Sequence, residues 1–241
     1  MTEDEAPPVS AEVKALARSV GHDFNNLLTS VLGAIDLAQL GLPPTSQAKA
    51  RLDRAIVAAQ RATFLARQLL ALADSQRVPA TTTAVDINEV LNRSRRLFEE
   101  SIPAESVLTY ELEPSLPSAD VDPFDLQGLC LALVLNAGES LPDGQGLISI
   151  RTGTCETGDT RRIWFEVVDT GHGIDHETLD RILRPLFTTR EGKRGLGLYY
   201  AHSVTEALNG EISVESSAEG SKVRVVLPEI VGETRFESIV P

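Results

Sequence analysis

The sequence predicts an α+β protein in which a helical hairpin precedes a part that mixes strands and helices. Two observations support this division. Apolar residues first recur every three or four positions and later alternate with polar ones. Residues 1–77 hold eight of the 35 acidic and eight of the 22 basic side chains, so the whole net charge of −13 falls on the remainder. We therefore expect domains at 1–77 and 86–230, a linker at 78–85 and a tail at 231–241.

Composition excludes several classes of protein. A chain of 241 residues with 42% hydrophobic residues is globular, and no apolar run approaches the ~18–20 residues that cross a bilayer. The acidic N-terminus lacks the basic and apolar regions of a signal peptide. Excess negative charge argues against a nucleic-acid partner, and Cys130 and Cys155 lack the spacing of a disulfide framework or zinc site. We expect a cytoplasmic protein with no membrane-spanning segment within this chain.

The first part has the pattern of two long antiparallel helices. The first runs from Ser10 to about Leu40, Gly41 suits its C-terminal cap, and the second begins after Thr45 or Ser46 and runs to about Ala73. Their apolar stripes comprise Val13, Leu16, Val20, Phe24, Leu27, Val31, Ile35 and Ala38, then Leu52, Ile56, Ala59, Thr63, Ala66 and Leu70. Because one hairpin buries little apolar surface, we expect a homodimer that forms a four-helix bundle.

His22 is the histidine best placed for chemistry. It lies about 200° around the helix from Phe24, at the ~100° per residue of a helix, and so points away from the apolar stripe. Asp23 is its neighbour, and Asn26 shares its face at i+4. An exposed imidazole beside a carboxylate is a plausible nucleophile. The alternative is an ordinary surface histidine.

The second part contains glycines where a ligand could approach the backbone. Asp169 ends a predicted strand, Arg162–Val168, and Gly171 and Gly173 follow it. Gly195 and Gly197 open a helix, and glycines there free N–H groups to hold phosphate, with Lys193 and Arg194 beside them. A buried helix over 122–140 presents Asn136 near its end. Each pattern alone is also compatible with ordinary turns and helix ends.

The segment His22-Asp-Phe-Asn-Asn-Leu-Leu resembles the phosphoacceptor box of sensor histidine kinases. The resemblance implies that His22 takes the γ-phosphoryl group of ATP and passes it to an aspartate of a response regulator. It implies that Asp23 activates the ring nitrogen as an acid/base. It also implies that Asn26 orients water when such kinases act as phosphatases on the regulator.

Four later motifs resemble the nucleotide-binding boxes of the same family. In the N box, Asn136 would help to coordinate Mg²⁺ on the ATP phosphates, and Glu139 is a second candidate. The first glycine box would use Asp169 to accept a hydrogen bond from the adenine amino group, beside Gly171 and Gly173. Phe187 lies in a segment similar to the phenylalanine box. The second glycine box would contribute Lys193, Arg194, Gly195 and Gly197.

Together the motifs imply an ATP-binding α/β sandwich of the Bergerat type, with a mixed sheet covered on one face by helices. ATP and Mg²⁺ are the implied cofactors, and a response regulator receiver domain is the implied partner. Two departures weaken the pattern: Ala132 stands where the N box usually carries Asn or Glu, and Lys193-Arg194 replace the start of the second glycine box. We expect input from a missing sensor region or an upstream sensor protein.

Two alternatives remain open from the sequence. The chain could be a histidine phosphotransferase whose ATPase domain is degenerate, which the altered boxes favour and the retained Asn136 and Asp169 oppose. It could also be a non-catalytic dimeric scaffold, which the intact face of His22, Asp23 and Asn26 opposes. Incubation with ATP labelled on its γ-phosphate distinguishes the kinase, the phosphotransferase and the scaffold.

Overall fold

A computed structural model describes residues 10–43, 45–73, 83–158, 160–190 and 192–230. Its helices are α1 (Ala11–Gln39), α2 (Gln47–Ala73), α3 (Ile87–Arg93), α4 (Arg95–Glu99), α5 (Pro123–Ser140), α6 (His176–Leu179) and α7 (Gly197–Ala207). Its strands are β1 (Thr83–Val85), β2 (Ser106–Glu111), β3 (Ala119–Val121), β4 (Gly146–Thr157), β5 (Thr160–Asp169), β6 (Glu211–Ser217) and β7 (Gly220–Pro228).

Helices α1 and α2 form the predicted hairpin. The Ser10 side chain accepts a hydrogen bond from the Val13 amide, and the Ser46 hydroxyl accepts one from the Lys49 amide at 3.0 Å. Between the helices, Gly41 adopts a φ of 85°, which lets the chain leave α1. The caps and the break therefore lie where the sequence predicts them.

The apolar stripe of α1 does not face α2 within the chain. Leu16, Phe24 and Leu27 remain 65%, 54% and 65% exposed, respectively. Gly21 instead meets α2, close enough that an added Cβ would lie 2.8 Å from Leu70. Most of the stripe therefore lines the outer surface of the hairpin, where the second helix pair of the predicted four-helix bundle can cover it.

After the hairpin, two short strands form a small sheet of their own. Strands β1 and β3 pair antiparallel, with Thr83 opposite Val121. Residues Thr83–Val85 therefore form a strand inside the segment predicted as linker, whereas 78–82 lie outside the described residues, as does the whole predicted tail, 231–241. The division into domains stays a prediction.

The main sheet is mixed, with strand order β2-β4-β5-β7-β6. Strands β2 and β4 run parallel, and the other neighbours run antiparallel. Ile163, Phe165 and Val167 alternate along β5 and are buried. Helices α5 and α7 cover this face, whereas the opposite face carries charged pairs such as Arg224 and Glu166 at 2.6 Å. The predicted α/β sandwich is confirmed.

Helix α2 packs against the second part and shares its core. Phe64 meets Tyr200 of α7 edge-on, with ring centroids 5.4 Å apart. Arg67 forms an ion pair with Asp125 at the start of α5, and both side chains are largely buried. Because Phe64 also belongs to the apolar cluster that fills the sandwich, the hairpin and the sheet domain are packed as one body.

Candidate nucleotide-binding site

A cavity of about 570 Å³ lies between α5, α7, α2 and the loops around α6. Predicted site residues on its wall are Asn136, Gly173, Phe187, Lys193, Arg194, Gly195 and Gly197. Such a volume lies within the range of small-molecule sites. The structure thus brings together motifs that are up to 61 positions apart in the sequence, from Asn136 to Gly197.

Charged side chains gather at one side of the cavity. Glu139, one turn beyond Asn136 on α5, lies between Arg190 and Lys193. The Lys193 ammonium is 2.6 Å from Glu139 Oε1, and Arg190 Nη1 is 3.3 Å from Oε2. Arg190 Nη1 also donates to the Asn136 carbonyl oxygen at 3.5 Å. Lys193, one of the two cations expected to contact phosphate, is therefore held together with Arg190 by a carboxylate in the same cavity.

Asp169 lies behind the cavity wall rather than on it. Its side chain is buried, and Oδ1 accepts hydrogen bonds from the Ser140 hydroxyl and the Gly171 amide, each at 2.8 Å. Among the hydrogen bonds of the described residues, both of these fall on Oδ1. The sequence did not point to Ser140, although a serine at the end of an apolar helix is a signal for a buried polar contact.

Two predicted glycines are required by close backbone contacts. Gly173 has a φ of 71°, and an added Cβ would lie 1.8 Å from the Ser217 carbonyl oxygen at the β6–β7 hairpin. Gly195 has a φ of 62°, and its Cβ would lie 2.3 Å from the Phe187 carbonyl oxygen. Only glycine fits both the backbone angle and the space, so both loops need it to form the cavity wall.

Helix α2 contributes a wall that the motifs did not predict. Arg61, Phe64 and Gln68 line the cavity, and Arg61 Nε donates to the Ser101 hydroxyl at 3.0 Å. Next to them, the Tyr199 hydroxyl donates to the Ala71 carbonyl oxygen at 3.4 Å. Burial raises the pKa of Tyr199, so its hydroxyl remains a donor across the physiological range.

The predicted phosphoacceptor group lies apart from the cavity, on the surface of α1. The His22 side chain is 70% exposed. The Asn26 amide lies 3.1 Å from His22 Nδ1, and the Asp23 carboxylate lies 4.0 Å from the same atom. Among the described residues, both contacts of the ring thus fall on Nδ1. Neither His22, Asp23 nor Asn26 lines the cavity.

The residues at the cavity suit a hard cation. Asn136 and Glu139 offer an amide and a carboxylate oxygen, which are the donors that Mg²⁺ prefers. Within the part of the chain that the structure describes, no three His, Cys, Asp or Glu side chains cluster in a way that could hold a metal. A cation here would therefore need ligand oxygens besides those of the protein, as Mg²⁺ bound to phosphates has.

The fold is an α/β sandwich packed on a helical hairpin, with a cavity between them. Residues 121–230 match the family described as histidine kinase-, DNA gyrase B-, and HSP90-like ATPase. The chain is also similar to proteins named as sensor kinases and sensor histidine kinases. The resemblance noted in the sequence is confirmed.

Three curated relatives illustrate the extent of the similarity. Sensor kinase CckA of Brucella abortus is 30% identical over 239 residues, which cover 93% of this chain and 25% of the relative. Sensor histidine kinase ZraS of Klebsiella oxytoca is 30% identical, with 88% and 45% covered. Sensory histidine kinase/phosphatase NtrB of Vibrio alginolyticus is 29% identical, with 89% and 62% covered. The chain thus spans between a quarter and three fifths of these relatives.

Solved structures share the fold. Full-length ShkA in complex with AMPPNP aligns with a TM-score of 0.61 at 20% identity, over 92% of this chain and 46% of that one. The catalytic domain of histidine kinase ThkA aligns with a TM-score of 0.55 at 24% identity, over 62% of this chain and 97% of that one. The first alignment includes the hairpin, so the likeness is not confined to the ATPase domain.

Proposed function

We propose that this chain is an ATP-dependent protein-histidine kinase that autophosphorylates on His22 and then transfers the phosphoryl group to an aspartate of a response regulator. The observation that carries the proposal is the pairing of two features in one chain: an exposed His22 held by Asn26, and a nucleotide-sized cavity between α2 and the ATPase domain.

ATP is the proposed phosphoryl donor. Asp169, oriented by Ser140 and Gly171, would accept a hydrogen bond from the adenine amino group. The ShkA structure was solved with AMPPNP, an ATP analogue, and its fold is shared by this chain. Asn136 would hold Mg²⁺, which when bound neutralises charge on the phosphates. The glycine loops supply backbone N–H groups to the same end of the cavity.

In the proposed transfer, the lone pair of His22 Nε2 attacks the γ-phosphorus of ATP. A new N–P bond forms, the bond from the γ-phosphorus to the bridging oxygen breaks, and ADP leaves. Asp23 accepts the proton from Nδ1 as positive charge develops on the ring. Positioning the two domains supplies most of the rate, because phosphoryl transfer needs little covalent help from the protein.

Attack by Nε2 requires one tautomer of the ring, because Nε2 has a free lone pair only when Nδ1 carries the proton. Nδ1 lies 3.1 Å from Asn26 Nδ2, an amide nitrogen that donates and does not accept, and 4.0 Å from the Asp23 carboxylate, which can accept a proton. In this arrangement Asn26 donates to an unprotonated Nδ1. Phosphorylation at Nε2 therefore requires the Asn26 amide to release Nδ1, so that Nδ1 can carry its proton toward Asp23. Asn26 is also the residue that would orient water in a phosphatase reaction.

We further propose a homodimer and a receiver domain as partners. The exposed apolar side chains of α1 form the surface on which a second hairpin would complete a four-helix bundle. The regulator would dock on the same bundle near His22. No helix in the described part of the chain combines the length and apolarity that a membrane crossing requires. Because ATP is the donor, we place the reaction in the cytoplasm.

Incubation with γ-labelled ATP tests the proposal. Acid-labile label on the wild type, absent from His22→Ala and retained by His176→Ala, is the expected result. His176 is the matched control because, like His22, it lies in a helix and its side chain is exposed. Absence of label on the wild type under these conditions contradicts the kinase assignment.

A phosphotransferase is the second candidate. Ala132 at the cavity wall and the neutralisation of Lys193 by Glu139 favour it, because both remove groups that could act on ATP phosphates. Its signature is transfer between a phosphorylated receiver domain and His22 without labelling by ATP. If neither labelling by ATP nor transfer from the receiver domain occurs, the non-catalytic scaffold is the remaining candidate.

A further inference from the structure

Glu139 is the acidic side chain that lies between two cations at the nucleotide cavity. Its two carboxylate oxygens are divided between them: Oε1 contacts Lys193 at 2.6 Å, and Oε2 contacts Arg190 at 3.3 Å. The Arg190 side chain is 24% exposed and that of Glu139 34% exposed, so water screens these pairs only in part. All three residues line the cavity.

A bound triphosphate changes the charge balance at this point. Arg190 and Lys193 line the cavity with Asn136, and Arg190 donates to the Asn136 carbonyl oxygen at 3.5 Å, so both lie on the side of the cavity where we propose that phosphates bind. While they remain paired with Glu139, their charge is not available to a phosphate. If they turn to the phosphates, the Glu139 carboxylate is left beside several negative charges, which is unfavourable by Coulomb repulsion.

A divalent cation removes this conflict. Glu139 and Asn136 lie one turn apart on α5, so their oxygens can approach a common point. Mg²⁺ takes oxygen ligands in octahedral geometry and is usually bound by one or two carboxylates together with substrate phosphates. Glu139 supplies a carboxylate on the helix that carries Asn136, in a chain that has Ala132 in place of the usual polar residue.

We propose that Glu139 exchanges partners when Mg-ATP binds. In the structure it holds Arg190 and Lys193. With the nucleotide, the two cations pair with phosphate oxygens and Glu139 becomes a ligand of Mg²⁺ next to Asn136. This inference rests on the proposed binding of ATP, and it makes Glu139 responsible for a large part of the dependence of ATP affinity on Mg²⁺.

The test measures ATP affinity by isothermal titration calorimetry, with the whole chain, in excess Mg²⁺ and in EDTA. For wild type we expect much tighter binding with Mg²⁺. In Glu139→Gln the cations are free and the metal ligand is lost, so binding in EDTA tightens by about threefold or more while binding in Mg²⁺ weakens by a similar factor. The ratio of the two dissociation constants therefore falls by about tenfold.

Glu215→Gln is the matched control. Glu215 pairs with Lys222 at 2.6 Å, the same distance as the pair of Glu139 and Lys193, but does not line the cavity. This variant is expected to keep the wild-type ratio. Glu139→Asp, which retains the carboxylate, is expected to keep most of the dependence on Mg²⁺.

Three outcomes overturn the inference. An unchanged ratio in Glu139→Gln shows that Glu139 does not bind the metal. Equal weakening with and without Mg²⁺ shows a structural role only. Failure of wild type to bind ATP in either condition overturns the proposed function together with this inference, whereas ATP binding with an unchanged ratio leaves the proposed function intact.

Discussion

At the scale of single residues, the Ser140 hydroxyl decides how Asp169 is presented. It is buried and donates to Asp169 Oδ1 at 2.8 Å, while the amide of Gly171 donates to the same oxygen. Ser140→Ala removes one of two donors to a buried carboxylate, which weakens ATP binding by about tenfold. Because Asp169 is the proposed selector of adenine, the preference for ATP over GTP is expected to fall. Calorimetric titration with both nucleotides measures this.

Ser94→Ala is the control for that variant. Ser94 is equally buried, and its hydroxyl accepts a hydrogen bond from the Gln127 amide at 2.8 Å, away from the cavity. It should leave the ratio of the ATP and GTP affinities unchanged. A Ser140→Ala protein that binds both nucleotides as wild type does would rule out the positioning role.

A second residue, Gly220, holds the β6–β7 hairpin against Asp169. Its φ is 135°, and an added Cβ would lie 1.9 Å from the Asp169 carbonyl oxygen. Gly220→Ala is therefore expected to lower the free energy of unfolding by about 1–3 kcal/mol. Denaturant unfolding measures it, and Gly33→Ala is the control, because a Cβ at Gly33 meets nothing within 4 Å. Equal stability of the two variants would contradict the close contact.

Residues that define motifs were easier to predict from the sequence than the residues that support them. Asn136, Gly173 and Gly195 belong to local patterns, and the structure places them at one cavity. Ser140 and Arg61 were missed because their roles depend on partners 29 and 40 positions away, at Asp169 and Ser101. A contact of that kind leaves no local pattern in the sequence.

At the scale of elements, long periodic segments were predicted well. Helices α1, α2 and α5 begin at side-chain caps and carry enough residues for their period to be seen. The short strands β1 and β3 were not predicted, because three residues give no measurable alternation and their pairing spans the chain from Thr83 to Val121. Helices α3 and α4 were also not predicted, because they are too short for a helical period to be recognised.

At the element scale, the periodicity of α1 identified an apolar face but not the neighbour that buries it. Within one chain, most of that stripe lies outward. A helix of a four-helix bundle touches neighbours on two sides, so periodicity identifies a buried face without saying which neighbour buries it.

Asp53 of α2 connects three elements and gives a pH-dependent contact. It accepts from Gln39 of α1 at 2.7 Å and pairs with Arg96 of α4 at 2.6 Å. The hydrogen bond from Arg96 lowers the pKa of Asp53 below its usual range, and burial partly opposes this. A lowered pKa in the folded state stabilises above the ordinary carboxyl pKa, and this contribution is lost as pH falls through the lowered value.

The melting temperature of Asp53→Asn is therefore expected to lie below that of wild type at pH 7. The difference should persist to about pH 4 and shrink below it, as wild-type Asp53 becomes protonated. Scans at several pH values measure it. Asp36→Asn, on the exposed side of α1, is the control. A difference that grows as the pH falls would contradict the assignment.

At the scale of the whole molecule, the outward apolar face of α1 predicts the assembly. Val31 is 47% exposed within one chain and lies on the same stripe as Leu16, Phe24 and Leu27. A charge buried in a helix interface is unfavourable, so Val31→Glu is expected to convert the proposed dimer to a monomer. Analytical ultracentrifugation gives the mass. Thr29→Glu, exposed but off the stripe, should remain dimeric, and a dimeric Val31→Glu would exclude this surface.

The packing of α2 on the sandwich also bears on how the molecule can be divided. Val57, Phe64 and Ala71 belong to the same apolar cluster as Leu129 and Val204. A fragment that begins at β1 would leave that surface facing water, since the side chains that cover it are on the hairpin. The predicted boundary between the hairpin and the sheet domain therefore does not separate two independently packed cores. We expect recombinant fragments of this protein to need α2 in order to stay in solution.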